Sequence, residues 1–187
     1  MILTSPQRRA LVAIDTFLAS GETRANFRAE RGCGLTALLQ YLVDINGMGA
    51  VPTDFVIAQN SPIEVSANSV CRTVWLVDRA TDCSEAAMQH GTVISAVRPQ
   101  SRCVIDLQPM TCDELADFLR RQQATLNGRM VTYTDTAVRE LHRQTAGRVA
   151  LLMPQMARVL QTLSHLGESQ VDTALVTACQ GEARRAA

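Results

Sequence analysis

Four short apolar runs without alternation set the strongest limit on what this chain can fold into: TDFVIAQ (53–59), TVWLVD (73–78), TVISAV (92–97) and RCVIDL (102–107). A strand with one wet face alternates apolar and polar side chains, whereas a strand covered on both faces does not. The runs therefore predict parallel strands sandwiched between helices. From Pro109 onward only helical periodicity remains. MTCDELADFLRRQQATLNG (110–128) opens with Thr111 and Glu114 in capping-box spacing, puts Leu115, Phe118 and Leu119 on one face, and is predicted to stop at Gly128. TDTAVRELHRQTAG (134–147) repeats the design, with Thr134 as cap and Gly147 as terminator. VALLMPQMARVLQTLSHLG (149–167) and ESQVDTALVTACQ (168–180) supply two more helices, Pro154 standing at a kink or in an opening turn. Each has a single apolar face that needs cover, so the four should pack together. The expected organisation is an α/β unit over residues 1–108 followed by an all-α helical unit over 109–187.

Ahead of the first of those runs, MILTSPQRRALVAIDTFLASG (1–21) resembles an export signal until Asp15 interrupts it. It reads as an amphipathic helix with Ser5 as N-cap, Pro6 at the first turn, Leu11, Ile14 and Leu18 on one stripe and Gly21 past its end. No run approaches the roughly 18 apolar residues that cross a membrane. A cytoplasmic protein with no membrane span is the expectation. Of 187 residues, 47% are hydrophobic and 19% charged, which suits a globular chain with a sizeable core. Eighteen acidic side chains balance eighteen basic ones, so the chain lacks the charge of a dedicated nucleic-acid binder. The six cysteines show no C-x-x-C spacing, and His90, His142 and His165 stand at no ligand spacing from them. They read as free thiols in a reducing compartment rather than as a disulfide framework or a metal site.

The stretch FRAERGCGLTALLQYL (27–42) has the order strand, glycine turn, helix that a phosphate-binding loop requires. Laid over Ala29 to Thr36, the signature G-x-x-x-x-G-K-[ST] keeps Gly34 and Thr36, loses its first glycine to Ala29 and its lysine to Leu35. No lysine occurs anywhere in the chain, so any phosphate must be met by arginine, by backbone N–H groups or by a partner. The candidate nucleotide-binding residues are Gly32, Cys33, Gly34, Leu35 and Thr36, with Thr36 and Asp78 as the candidate Mg²⁺ pair. An inherited turn that holds no ligand explains the same residues. Cys33, near a helix N-terminus, is a candidate for a lowered thiol pKa. TRANFRAE (23–30) is an uncomfortable central strand, because Arg24, Asn26 and Arg28 need either partners or an open face.

Taken in order, these elements resemble the AAA+ P-loop ATPases of the general secretion pathway A (ExeA-like) type and their bacterial paralogues. The likeness runs nearly end to end and is strongest in IDLQPMTCDELADFLRRQ, YTDTAVRELHRQTAGRV and ESQVDTALVTAC. It implies a P-loop-type three-layer parallel sheet with a C-terminal all-α helical lid. It also implies a site for ATP or ADP with Mg²⁺, and assembly as a homo-oligomer or with active AAA+ relatives. Residue by residue the site is degraded. The loop lysine is Leu35; Asp78 matches the metal aspartate but Arg79 replaces the acid that follows it; the second-sensor step reads Gly147, Arg148, Val149, Ala150. The sensor candidates left are Arg98 and Arg148. The resemblance thus points to a pseudo-ATPase: a module in which nucleotide binding is weak or absent and hydrolysis is lost. Two alternatives stand beside it, an active ATPase that borrows arginine or a neighbour's residues, and a scaffold without ligand.

Overall fold

Residues 2–45, 53–57, 72–77, 92–96, 103–122, 124–126 and 128–185 are described by the computed structural model. The chain divides into two compact units. One holds Pro6–Glu30 and Gly34–Gln108; the other holds Ile2–Ser5, Arg31–Cys33 and Pro109–Ala187.

In the first unit, α1 (Ser5–Ala19) leads to β1 (Arg24–Ala29), α2 (Leu35–Asp44), β2 (Thr53–Ile57), β3 (Arg72–Val77), β4 (Thr92–Ser95) and β5 (Cys103–Leu107). The five strands form one sheet in the order β2-β3-β4-β1-β5, and every neighbouring pair is parallel. The apolar runs behave as their lack of alternation requires where they lie inside the sheet. Val74, Trp75, Leu76 and Val77 of β3 are all buried, as are Thr92, Val93 and Ile94 of β4. At the edge, β5 alternates, with Ile105 and Leu107 buried and Val104 and Asp106 exposed.

Strand β1 does not alternate: it buries Ala25, Asn26 and Phe27 in a row. It pairs on both sides, with Ala25 opposite Cys103 and Ile94, and it buries Ala25 and Phe27 while Arg24 and Arg28 stay exposed. Arg28 meets Asp106, its register partner on β5, through Nε to Oδ1 at 2.5 Å and through a second bond to Oδ2 at 2.7 Å. The pair raises the guanidinium pKa and lowers that of the carboxyl, chiefly through this hydrogen bonding. The two arginines expected to burden a covered strand are therefore exposed, whereas Asn26 between them is buried. In α1 the buried stripe is Ala10, Ile14 and Phe17, displaced by one position from the one the sequence suggests, with Leu11 and Leu18 half-buried on its flanks.

The second unit contains α3 (Cys112–Gln122), α4 (Asp135–Thr145), α5 (Val149–Leu166) and α6 (Thr173–Arg185). They share one core in which Leu115, Leu141, Leu152, Val159, Leu163 and Val176 have no exposed surface. The caps that the sequence predicts are made. Thr111 N–H donates to Glu114 Oε2 at 2.9 Å and Glu114 N–H to Thr111 Oγ1 at 3.3 Å, and Ala137 N–H donates to Thr134 Oγ1 at 3.2 Å. Pro154 lies inside α5, where it offers no N–H to the carbonyl of Ala150.

Helix α3 ends at Gln122, well before Gly128. The residues that follow pair as strands, β6 (Thr125–Leu126) antiparallel to β7 (Arg129–Met130). The reason is legible in hindsight: Asn-Gly at 127–128 is a strong two-residue hairpin signal, and Gly128 takes the left-handed φ of 77° that such turns need. A second short pair, β8 (Thr132–Tyr133) parallel to β9 (Gln170–Val171), joins distant parts of the unit. Helical periodicity gives no sign of it.

Candidate nucleotide site

The loop after β1 begins with Glu30, whose N–H donates to the carbonyl of Leu107 on β5 at 3.3 Å. Two glycines then turn the chain, Gly32 at φ 87° and Gly34 at φ 86°. Both values are left-handed and strain any residue with a Cβ, so the turn needs glycine at these two places. Gly34 is the N-cap of α2, and no side chain caps that helix. The dipole of a helix N-terminus favours an anion there.

In the first unit, Gln7 Nε2 donates to the carbonyl of Gly34 at 3.1 Å. Gln7 is 3% exposed, so α1 holds the head of α2 through a buried bond. In the second unit, Ala150 N–H in the first turn of α5 donates to the carbonyl of Gly32 at 3.0 Å. A Cβ built on Gly32 would lie 3.4 Å from Ala150 Cβ and 3.6 Å from Arg148 Cβ, so both residues stand directly over that glycine. The structure thus brings Arg148 and Ala150 to Gly32. Leu35 is half-buried at the head of α2 and Thr36 is exposed beside it, while Cys33 is buried. Asp78, Arg79 and Arg98 lie outside the described residues.

The glycine after α4 has a separate task. A Cβ on Gly147 would fall 2.0 Å from the carbonyl oxygen of Met110 and 2.8 Å from its nitrogen. Met110 N–H donates to the Gly147 carbonyl at 3.0 Å, and His142 Nε2–H donates to the Met110 carbonyl at 2.9 Å. His142 is therefore held as a structural donor. Nothing in the sequence marks Gln7 or the Met110 contact; Gln7 sits in an exposed-looking run with Arg8 and Arg9.

Comparison with solved structures decides the fold. RuvB of Thermotoga maritima, a Holliday junction branch migration motor, matches with a TM-score of 0.65 at 14% identity, over 94% of this chain and 67% of that one. Drosophila ORC bound to DNA matches with a TM-score of 0.63 at 13% identity, over 95% of this chain and 60% of that one. The fold is the one these two proteins share with this chain, a parallel five-stranded sheet with flanking helices. ORC2 of Aeropyrum pernix, in ADPNP and ADP complexes, matches less closely, with a TM-score of 0.58 at 12% identity over 95% of this chain and 66% of that one. Models of known families and curated protein sequences give no match.

On this fold the residues present suit a nucleotide in part. The left-handed glycines and the uncapped α2 suit a phosphate, and Thr36 offers a hydroxyl for a phosphate-bound Mg²⁺. Leu35 offers no charge. Among the described residues no cluster of His, Cys, Asp and Glu could hold a metal ion by itself. Nor, among them, is any helix long and apolar enough to cross a membrane.

Proposed function

We propose that this chain is a degenerate AAA+ module of the general secretion pathway A (ExeA-like) type, with a P-loop domain over 1–108 and a helical lid over 109–187. It binds ATP or ADP weakly through backbone N–H groups and does not hydrolyse it. The observation that carries the reading is the uncapped head of α2 behind two left-handed glycines, with leucine where the phosphate's cation should stand. The anion-binding geometry is independent of the lysine, but the charge that holds β and γ phosphates is not. Arg79 after Asp78 opposes a metal and cannot orient an attacking water as a carboxylate does. The module would act as a nucleotide-sensing or regulatory subunit beside itself or beside active relatives.

The bond from Ala150 N–H to the Gly32 carbonyl supports a second reading, a scaffold whose loop is held without ligand. Calorimetric titration with MgADP and MgATP, together with phosphate release, separates the readings. Binding without release, abolished by Gly34→Val, supports the proposal. No binding leaves the scaffold, and steady release from the wild type restores the ATPase.

A further inference from the structure

The helical unit contains a pocket that the nucleotide reading leaves unused. It has a volume of about 390 Å³ and opens between α3, the strands around residue 130 and α4. Its walls are mostly apolar: Leu119, Val131 and Val138 form part of the buried core and still line the space, with Ala116, Met130 and Tyr133 around them. Met130 is 61% exposed, and a methionine at such a position adapts to a guest. Thr132 and two charged side chains of opposite sign complete the lining, Arg120 from the last turn of α3 and Asp135 from the first turn of α4. Arg120 pairs with Asp117, but with side chains 72% and 59% exposed that pair is weak and free to exchange.

A cavity of roughly 150 Å³ takes a benzene ring, and ligand pockets begin at roughly 300 Å³. The space here suits one ring or branched chain together with a small polar head. One cation and one anion beside that apolar space match a head group that itself carries both charges. We propose that the pocket binds a free apolar α-amino acid, its side chain against Leu119, Val131 and Val138, its carboxylate on Arg120 and its ammonium on Asp135. A purely apolar guest would make no use of the charges, and a singly charged one would face one of them unmatched.

The test is methyl NMR of the full chain titrated with L-phenylalanine and L-leucine. The expected result is saturable shifts at the methyls of Leu119, Val131 and Val138, with affinity falling about tenfold in each of Arg120→Gln and Asp135→Asn, as loss of one charge-assisted bond implies. Both substituted residues are exposed, so folding should survive, and unchanged methyl spectra of the unliganded variants check this. Phenylalanine methyl ester and N-acetyl-phenylalanine should bind as weakly as the variants bind the free amino acid. Absence of shifts up to the solubility limit overturns the proposal. So does equal binding of benzyl alcohol, or retention of full affinity by either blocked derivative or either variant.

Discussion

Gly147 and Gly167 offer a controlled measurement of what one close backbone approach contributes. Their φ values are 68° and 70°, so alanine at either position incurs the same left-handed strain, on the order of 1–2 kcal/mol. Around Gly167 a Cβ meets nothing within 4 Å, whereas at Gly147 it would fall 2.0 Å from the carbonyl oxygen of Met110. The atoms in the way are backbone, so no rotamer change relieves the clash; Met110 must move. Its displacement would break the Met110–Gly147 hydrogen bond and the His142–Met110 hydrogen bond, each worth about 0.5–1.5 kcal/mol net. It would also unseat a side chain that is 2% exposed in the core of the unit, at a further cost of about 1 kcal/mol. Gly147→Ala should therefore be less stable than Gly167→Ala by about 2–4 kcal/mol. For a chain of this size that is a gap of roughly 4–16 °C between the two melting midpoints, read by circular dichroism. Coincident melts of the two variants would refute the argument, because the strain they share would then account for everything.

Three other outcomes are expected. Leu35→Lys should tighten MgADP binding about tenfold or more by calorimetry without starting phosphate release, since a charge–phosphate bond acts in the ground state; an unchanged Kd would remove the loop as the site. Arg143 and Gln144 hold the Glu140 carboxyl at a pKa of about 2, below its ordinary 4.5. A depressed carboxylate stabilises the fold above its unfolded pKa, so the difference in melting between wild type and Glu140→Gln should be full above pH 4.5 and vanish as pH falls to about 2. With Arg143 68% exposed, solvent screening keeps that difference small, and a difference that grows on acidification would contradict the assignment. The Tyr133 hydroxyl is buried with no hydrogen-bond partner among the described residues, and burial pushes its pKa up to about 12. Tyr133→Phe should leave the urea midpoint unchanged or raise stability by about 1 kcal/mol, and a clear loss would reveal a partner for the hydroxyl.

What the sequence discloses about this fold follows the range over which each determinant acts. Thr111, Glu114 and Thr134 cap their helices within three residues of themselves, and those caps can be read directly. The unalternating runs at β3 and β4 likewise announce two covered faces. The partner of Arg28 is not readable, because Asp106 reaches it only through the register of β1 against β5. The end of α3 was obscured because apolar spacing continues past Gln122, while the Asn-Gly turn at 127–128 acts on the flanking strands. In the loop, Gly34 and Leu35 carry their meaning in their identity. The hold of Gln7 on Gly34 and the closeness of Gly147 to Met110 depend on tertiary approach, which leaves no periodic trace.

The place of β1 in the sheet bears on how the chain is made. It is the first strand in sequence, yet its two neighbours are β4 and β5, so Ala25 must wait for Ile94 and Cys103 before either side of its strand is paired. Contacts so distant along the chain close slowly, and during synthesis they cannot form until the later residues have emerged. The glycine turn that hangs from the end of β1 is tied to later chain in the same way, Glu30 to Leu107 and Gly32 to Ala150. On this topology the turn is a product of contacts distant in sequence, so an anion, if the turn takes one, meets it only once those contacts have formed.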